Sequence, residues 1–60
     1  MNLTYDAVIL GITAKMHESG LATDRELEDA QVKLASDKTQ LKIQMINGLV
    51  IENNIAINEL

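Results

Sequence analysis

The residues able to do acid–base or metal chemistry in this chain are few and scattered. His17 is the only histidine, there is no cysteine, and the acids concentrate in "DRELED", Asp24 to Asp29. A histidine beside a carboxylate, as in His17-Glu18, is a pairing used in general acid–base catalysis. Neighbours along a helix point in different directions, however, so these two side chains do not converge. A lone histidine in a last helical turn reads more simply as a solvated group favoured there by the helix dipole. Asp24, Glu26, Glu28 and Asp29 lack the Asp-x-Asp-x-Asp-Gly spacing of a calcium loop. Acids at a helix start are explained by the same dipole. One histidine and no thiol leave no Cys/His cluster for zinc and no ligands for iron–sulfur. Gly11, Gly20 and Gly48 lie too far apart to cradle a phosphate. The chemistry-bearing residues therefore point away from an enzyme, with no metal and no cofactor expected.

What must be explained instead is apolar surface. The chain has 60 residues, one domain at most. A domain of this size buries only about 60% of its unfolded surface. Small scaffolds usually add disulfides, a metal or oligomerisation. With no cysteine and a single histidine, association with another chain is the remaining device. Five basic and nine acidic side chains give a net charge of −4, with Lys and Arg scattered. Phosphate backbones repel such a chain, so no nucleic-acid partner is expected. Tyr5 is the only aromatic residue, which removes the stacking platforms of single-strand binders. No apolar run approaches the ~20 residues of a membrane span. Asp6 interrupts what would be a signal peptide's apolar core. A cytoplasmic chain, or one exported without a cleaved signal, is expected.

The apolar spacing predicts two helices. In "TYDAVILGITAKMHES", about residues 4–19, Tyr5, Val8, Ile9, Ile12 and Met16 share one face. Thr4 is a candidate N-cap. Gly20 can end the helix in the left-handed conformation, with Leu21 placed for a Schellman contact to Met16. Leu3, Ala7, Leu10 and Ala14 recur on the opposite face, and Gly11 lies beside them. A helix apolar on two faces is packed on two sides, unless these small residues merely fill surface positions. After a turn at about 20–22, "TDRE" is a capping box: Thr23 and Glu26 can exchange hydrogen bonds. From there Leu27, Ala30, Leu34, Leu41 and Met45 form a stripe, and Asp29 and Lys33 are spaced for an ion pair.

The stretch "QMINGLVIENNIAINEL", Gln44 to Leu60, admits two readings. Asn47-Gly48 between apolar residues is a strong hairpin signal. Alternation fails after it, because Leu49, Val50 and Ile51 are consecutive. Asp29, Lys33, Ser36, Gln40, Gln44, Asn47, Asn54 and Asn58 meanwhile share one helical arc. That polar stripe crosses the Asn-Gly without losing register, which favours one long helix at about residues 23–59. The predicted fold is an all-α helical hairpin with a short first and a long second helix. The alternatives are a three-helix bundle, broken at "SDKTQ" where Asp37 and Gln40 can form another capping box, or an α-hairpin followed by a C-terminal β-hairpin.

A long second helix has an energetic consequence. Thirty-odd residues rise about 55 Å, whereas the first helix spans about 24 Å. Folded back, the first helix reaches only to about Thr39. Ile43, Met45, Ile46, Leu49, Val50, Ile55 and Ile57 then lie beyond it. Leaving such side chains in water forfeits ~1.5–3 kcal/mol each. Contiguous apolar patches of this kind mark interaction sites. These seven residues are the candidate partner-binding set, for a homo-oligomer or a heterologous helical protein. The other expectation is a monomeric three-helix module acting as a regulator or inhibitor.

The outline of a short first helix, a tight turn and a long C-terminal helix, carried here by "LEDAQVKLASDKTQLKIQMINGLVIENNIAINEL", resembles the small helical-hairpin components of type III secretion systems. Needle subunits and needle co-chaperones both have it. "ESGLATD" stands where needle subunits commonly have a proline-containing turn. The resemblance implies a role in protein transport, as a secretion-apparatus subunit or chaperone.

Overall fold

The structure, a computed structural model, describes the backbone of residues 1–59 and the side chains of residues 1–54. Two helices account for almost all of it: α1, Leu3–Glu18, and α2, Asp24–Glu59. They form an antiparallel hairpin, and no strand occurs among the described residues. α2 runs unbroken through both "SDKTQ" and Asn47-Gly48. At "SDKTQ" the Thr39 hydroxyl donates back to the Ala35 carbonyl at 3.0 Å, a bond made inside a continuing helix. Gly48 therefore sits in the middle of a helix, and a Cβ there would meet nothing within 4 Å.

Each helix end is fixed by the side chains around it. α1 is capped by Asn2, not Thr4, because Asn2 is extended and its Oδ1 accepts from the Tyr5 amide at 2.9 Å. Asn and Thr both serve as caps, and Thr4 has been drawn into the first turn. At the other end Gly20 takes φ 77°, the left-handed conformation. The Leu21 amide reaches the Met16 carbonyl at 2.8 Å, and the Gly20 amide reaches His17 at 3.0 Å. These are the two bonds of a Schellman motif, although Leu21 itself stays largely exposed. The capping box forms as expected: Glu26 donates its amide to the Thr23 hydroxyl at 3.1 Å, and the Thr23 amide donates to Glu26 Oε1 at 3.0 Å. These bonds hold the Glu26 carboxyl below its ordinary range, the backbone bond from Thr23 contributing most. His17 then bridges the turn, its Nε2 2.5 Å from Asp24 Oδ1. The contact joins the last turn of α1 to the first turn of α2, where the two helix dipoles favour opposite charges.

The seam between the helices has coiled-coil spacing. Leu3, Leu10, Thr13 and His17 are half-buried on α1, and Leu27, Ala30, Leu34 and Leu41 on α2. Asp6 and Asp37 complete the two stripes and face one another. Steps of three and four along each stripe are those of a heptad repeat. The Asp6–Asp37 pairing sets the register: Leu3 lies level with Leu41, where α1 ends. Everything on α2 from Lys42 onward extends past its partner helix. The molecule is accordingly a rod, 61 × 17 × 12 Å, with a radius of gyration of 17.8 Å. A compact chain of this length would have about 10 Å.

The two glycines in special positions make opposite predictions. Gly20→Ala forces a Cβ into left-handed backbone and should destabilise the hairpin by about 1 kcal/mol. Gly48→Ala removes a helix-interior glycine from open space and should stabilise α2 by about 1 kcal/mol. Denaturant melts of both variants, followed by helical circular dichroism at low concentration, check the two signs.

Candidate functional site

The side chains that the seam buries most deeply are not apolar. Among the described residues no hydrophobic side chain is fully buried, while Asp6 is 6% exposed and Asp37 3%. The surface is correspondingly large, 4956 Å² for 6.6 kDa. A compact monomer of that mass exposes about 3,900 Å².

The apolar residues line the outside. Ile43, Met45, Ile46, Leu49 and Val50 are between 50% and 62% exposed. They lie on the part of α2 that α1 does not reach, as the length argument requires. Ile51 beside them is exposed as well. Ile55 and Ile57, the remaining members of the expected set, have side chains outside the described residues.

α1 shows which of its two apolar faces meets α2. The richer apolar stripe, Tyr5, Val8, Ile12 and Met16, is turned away from α2 and is 41–61% exposed. The face with Leu3, Leu10 and Ala14 packs inward instead. Within that inward face Ala7 and Gly11 remain exposed. The reason is register. Leu3, Asp6, Leu10, Thr13 and His17 match the heptad steps of Leu27, Ala30, Leu34, Asp37 and Leu41, so the seam forms along them. Sequence reasoning took Asp6 as a break in the first apolar run and Asp37 as a possible capping-box residue, and it missed their pairing. The signal was present in the heptad spacing common to both residues.

The carboxylate pair has a definite electrostatic arrangement. Two carboxyl groups in contact cannot both be ionised at low cost, so one proton is shared between them. Asp6 holds it. The hydrogen bond to Asp37 raises the Asp6 carboxyl most, followed by burial and the Asp37 charge. Asp37 is held below its ordinary range, first by the bond from Asp6 and then by Lys33. Lys33 Nζ lies 3.4 Å from Asp37 Oδ1, one turn away on α2. Lys33 thus pairs forward with Asp37 rather than back with Asp29. The N-terminal ammonium adds a weaker favourable charge to both acids. Apart from the proton the two acids share, the buried Oδ2 of each carboxyl has no hydrogen-bond donor. No group of three or more metal-ligating side chains and no concave pocket occurs among the described residues. No helix there is long and apolar enough to cross a membrane.

The pair makes hairpin stability depend on pH in two directions. For Asp6, raised above 3.8, stabilisation is complete below that value and is lost as pH rises through the raised one. For Asp37, lowered from 3.8, stabilisation is present above that value and is lost as pH falls through the lowered one. The pair titrates as a unit, so stability should peak where it carries one proton. Asp6→Asn replaces the protonated acid with a neutral amide. It should raise the melting temperature at pH 7 and remove the decline on the alkaline side of the stability maximum, read as melting curves across a pH series.

No family model, no curated protein and no solved structure matches the chain in the comparisons with known proteins.

Proposed function

We propose that this chain is a protein–protein association module. Its working surface is the apolar C-terminal half of α2, Ile43, Met45, Ile46, Leu49 and Val50, continued in the sequence by Ile55 and Ile57. One observation carries the reading: every described large apolar side chain is at least partly exposed, while the most buried positions belong to two carboxylates. A hairpin that wets its hydrophobic residues lacks the usual source of folding free energy. Burying five or so of these side chains against another helix returns ~1.5–3 kcal/mol each. The surface is contiguous and nearly uncharged, with Lys42 and Glu52 the charged side chains from 42 to 54. That composition suits a helical protein partner better than a nucleic acid, which would need basic residues. The hairpin outline also accords with a small subunit or co-chaperone of a secretion apparatus, a role that rests on outline alone. Catalysis forms no part of the proposal.

Ile46→Asp and Leu49→Asp each place a charge in the middle of the surface. Each should leave the chain monomeric or unfolded under conditions where the wild type is associated. Sedimentation velocity with circular dichroism reads both outcomes. A wild-type chain that stays helical and monomeric at high concentration, with a melting temperature independent of concentration, would overturn the proposal.

A further inference from the structure

The association reading leaves the partner open, and the outer faces of the hairpin identify one. On the back of α1, Tyr5, Ile9, Ile12 and Met16 form a heptad stripe; Ile9 is half-buried at the edge of the seam and the other three are exposed. On the extension of α2, Ile43, Ile46, Val50 and Asn53 form a second exposed stripe. Read down α1, the first has steps of four, three and four. Read up α2, the second has steps of three, four and three. That interleaving is the one by which α1 and α2 already pack: His17, Thr13, Leu10 and Asp6 descend by four, three and four against Leu27, Ala30, Leu34 and Asp37. An antiparallel pair of helices with these steps brings each residue opposite one partner, layer by layer.

Resting on the association reading, we propose that the occupant of the α2 extension is the back of α1 from a second copy of this chain. Met16 of one copy lies over Ile43 of the other, Ile12 over Ile46, Ile9 over Val50, and Tyr5 over Asn53. Neither stripe itself carries a charge. The extension from 42 to 59 and α1 from 3 to 18 are also nearly equal in length. The extension packed on its own copy fits less well. Antiparallel about Val50, that arrangement sets Ile46 against the Asn53 amide twice and leaves the α1 stripe in water.

The two stripes belong to different parts of one chain, so the contact is head-to-tail. Each copy offers one α1 back and one extension, and successive hairpins advance by about 15 residues, roughly 22 Å along the rod. Assembly continues until a ring closes or the copies run out.

Complementation of two variants tests this. Ile12→Asp damages the α1 back, and Ile46→Asp damages the extension. Each alone should sediment as a monomer. Mixed in equal amounts they should form one junction and no more, giving twice the monomer mass. The wild type should grow beyond that mass as concentration rises. If Ile12→Asp alone still associates as the wild type does, the α1 back is not the occupant, and the broader association reading survives. If the wild type is monomeric and largely unfolded at every concentration, a second copy is not the partner, and a different helical protein takes that role. A helical wild-type monomer at every concentration overturns both. Because the chain has no cysteine, a cross-link gives a readout less dependent on stability. Ile12→Cys mixed with Ile46→Cys should oxidise to a mixed disulfide dimer in preference to either self-dimer. A dominant self-dimer of Ile46→Cys would overturn the head-to-tail contact.

Discussion

A pair of carboxyl groups sits where a two-helix seam would ordinarily bury its best apolar residues. Asp6 and Asp37 are tolerated there because they share a proton and because Lys33 lies close by. Their contact fixes the register of α1 on α2, and the register decides which faces turn outward. A buried polar layer is costly, and its best-attested use in paired helices is to select one alignment over its neighbours. A slip of one heptad here would part the two carboxyls, setting Asp6 against Ala30 or Gln44. The apolar stripes outside the hairpin are thus a consequence of the polar layer inside it.

The energetic problem follows directly. Leu3, Leu10, Leu27, Leu34 and Leu41 are only half-buried in the seam, and the turn contributes caps rather than core. Hydrogen bonds at Asn2, Gly20, Thr23 and Glu26 decide where helices start and stop. They cannot supply the apolar burial that makes a small domain stable. Under the proposed association, that burial comes from a second chain.

Much of this was legible in the sequence, for identifiable reasons. The capping box and the Gly20 stop are local signals, and both hold. The continuity of α2 followed from the polar stripe through Asn47, Asn54 and Asn58, which kept helical phase across a dipeptide that locally favours a turn. The exposure of Ile43 to Val50 followed from two lengths. The pairing of α1 did not follow. The sequence offers two apolar faces on α1 without choosing between them, and the structure packs the one with Leu3, Leu10 and Ala14. Counting apolar residues on one helix says which face prefers burial, not which face matches the steps of its neighbour. Asp6 and Asp37 were each assigned a local role for the same reason: their meaning exists only once two helices are laid side by side.

The tight turn at residues 19–23 gives this register a place in time. The chain has no proline, so no slow isomerisation delays it. The smallest loops close first, so the His17–Leu27 layer forms soonest and the helices zip away from the turn. The Asp6–Asp37 layer and then Leu3–Leu41 lie farthest along and close last. Alignment is therefore verified at the end of folding rather than at its start. A misaligned hairpin meets its penalty only when α1 is almost fully laid down, and at that stage opening costs little more than unfastening its first turns.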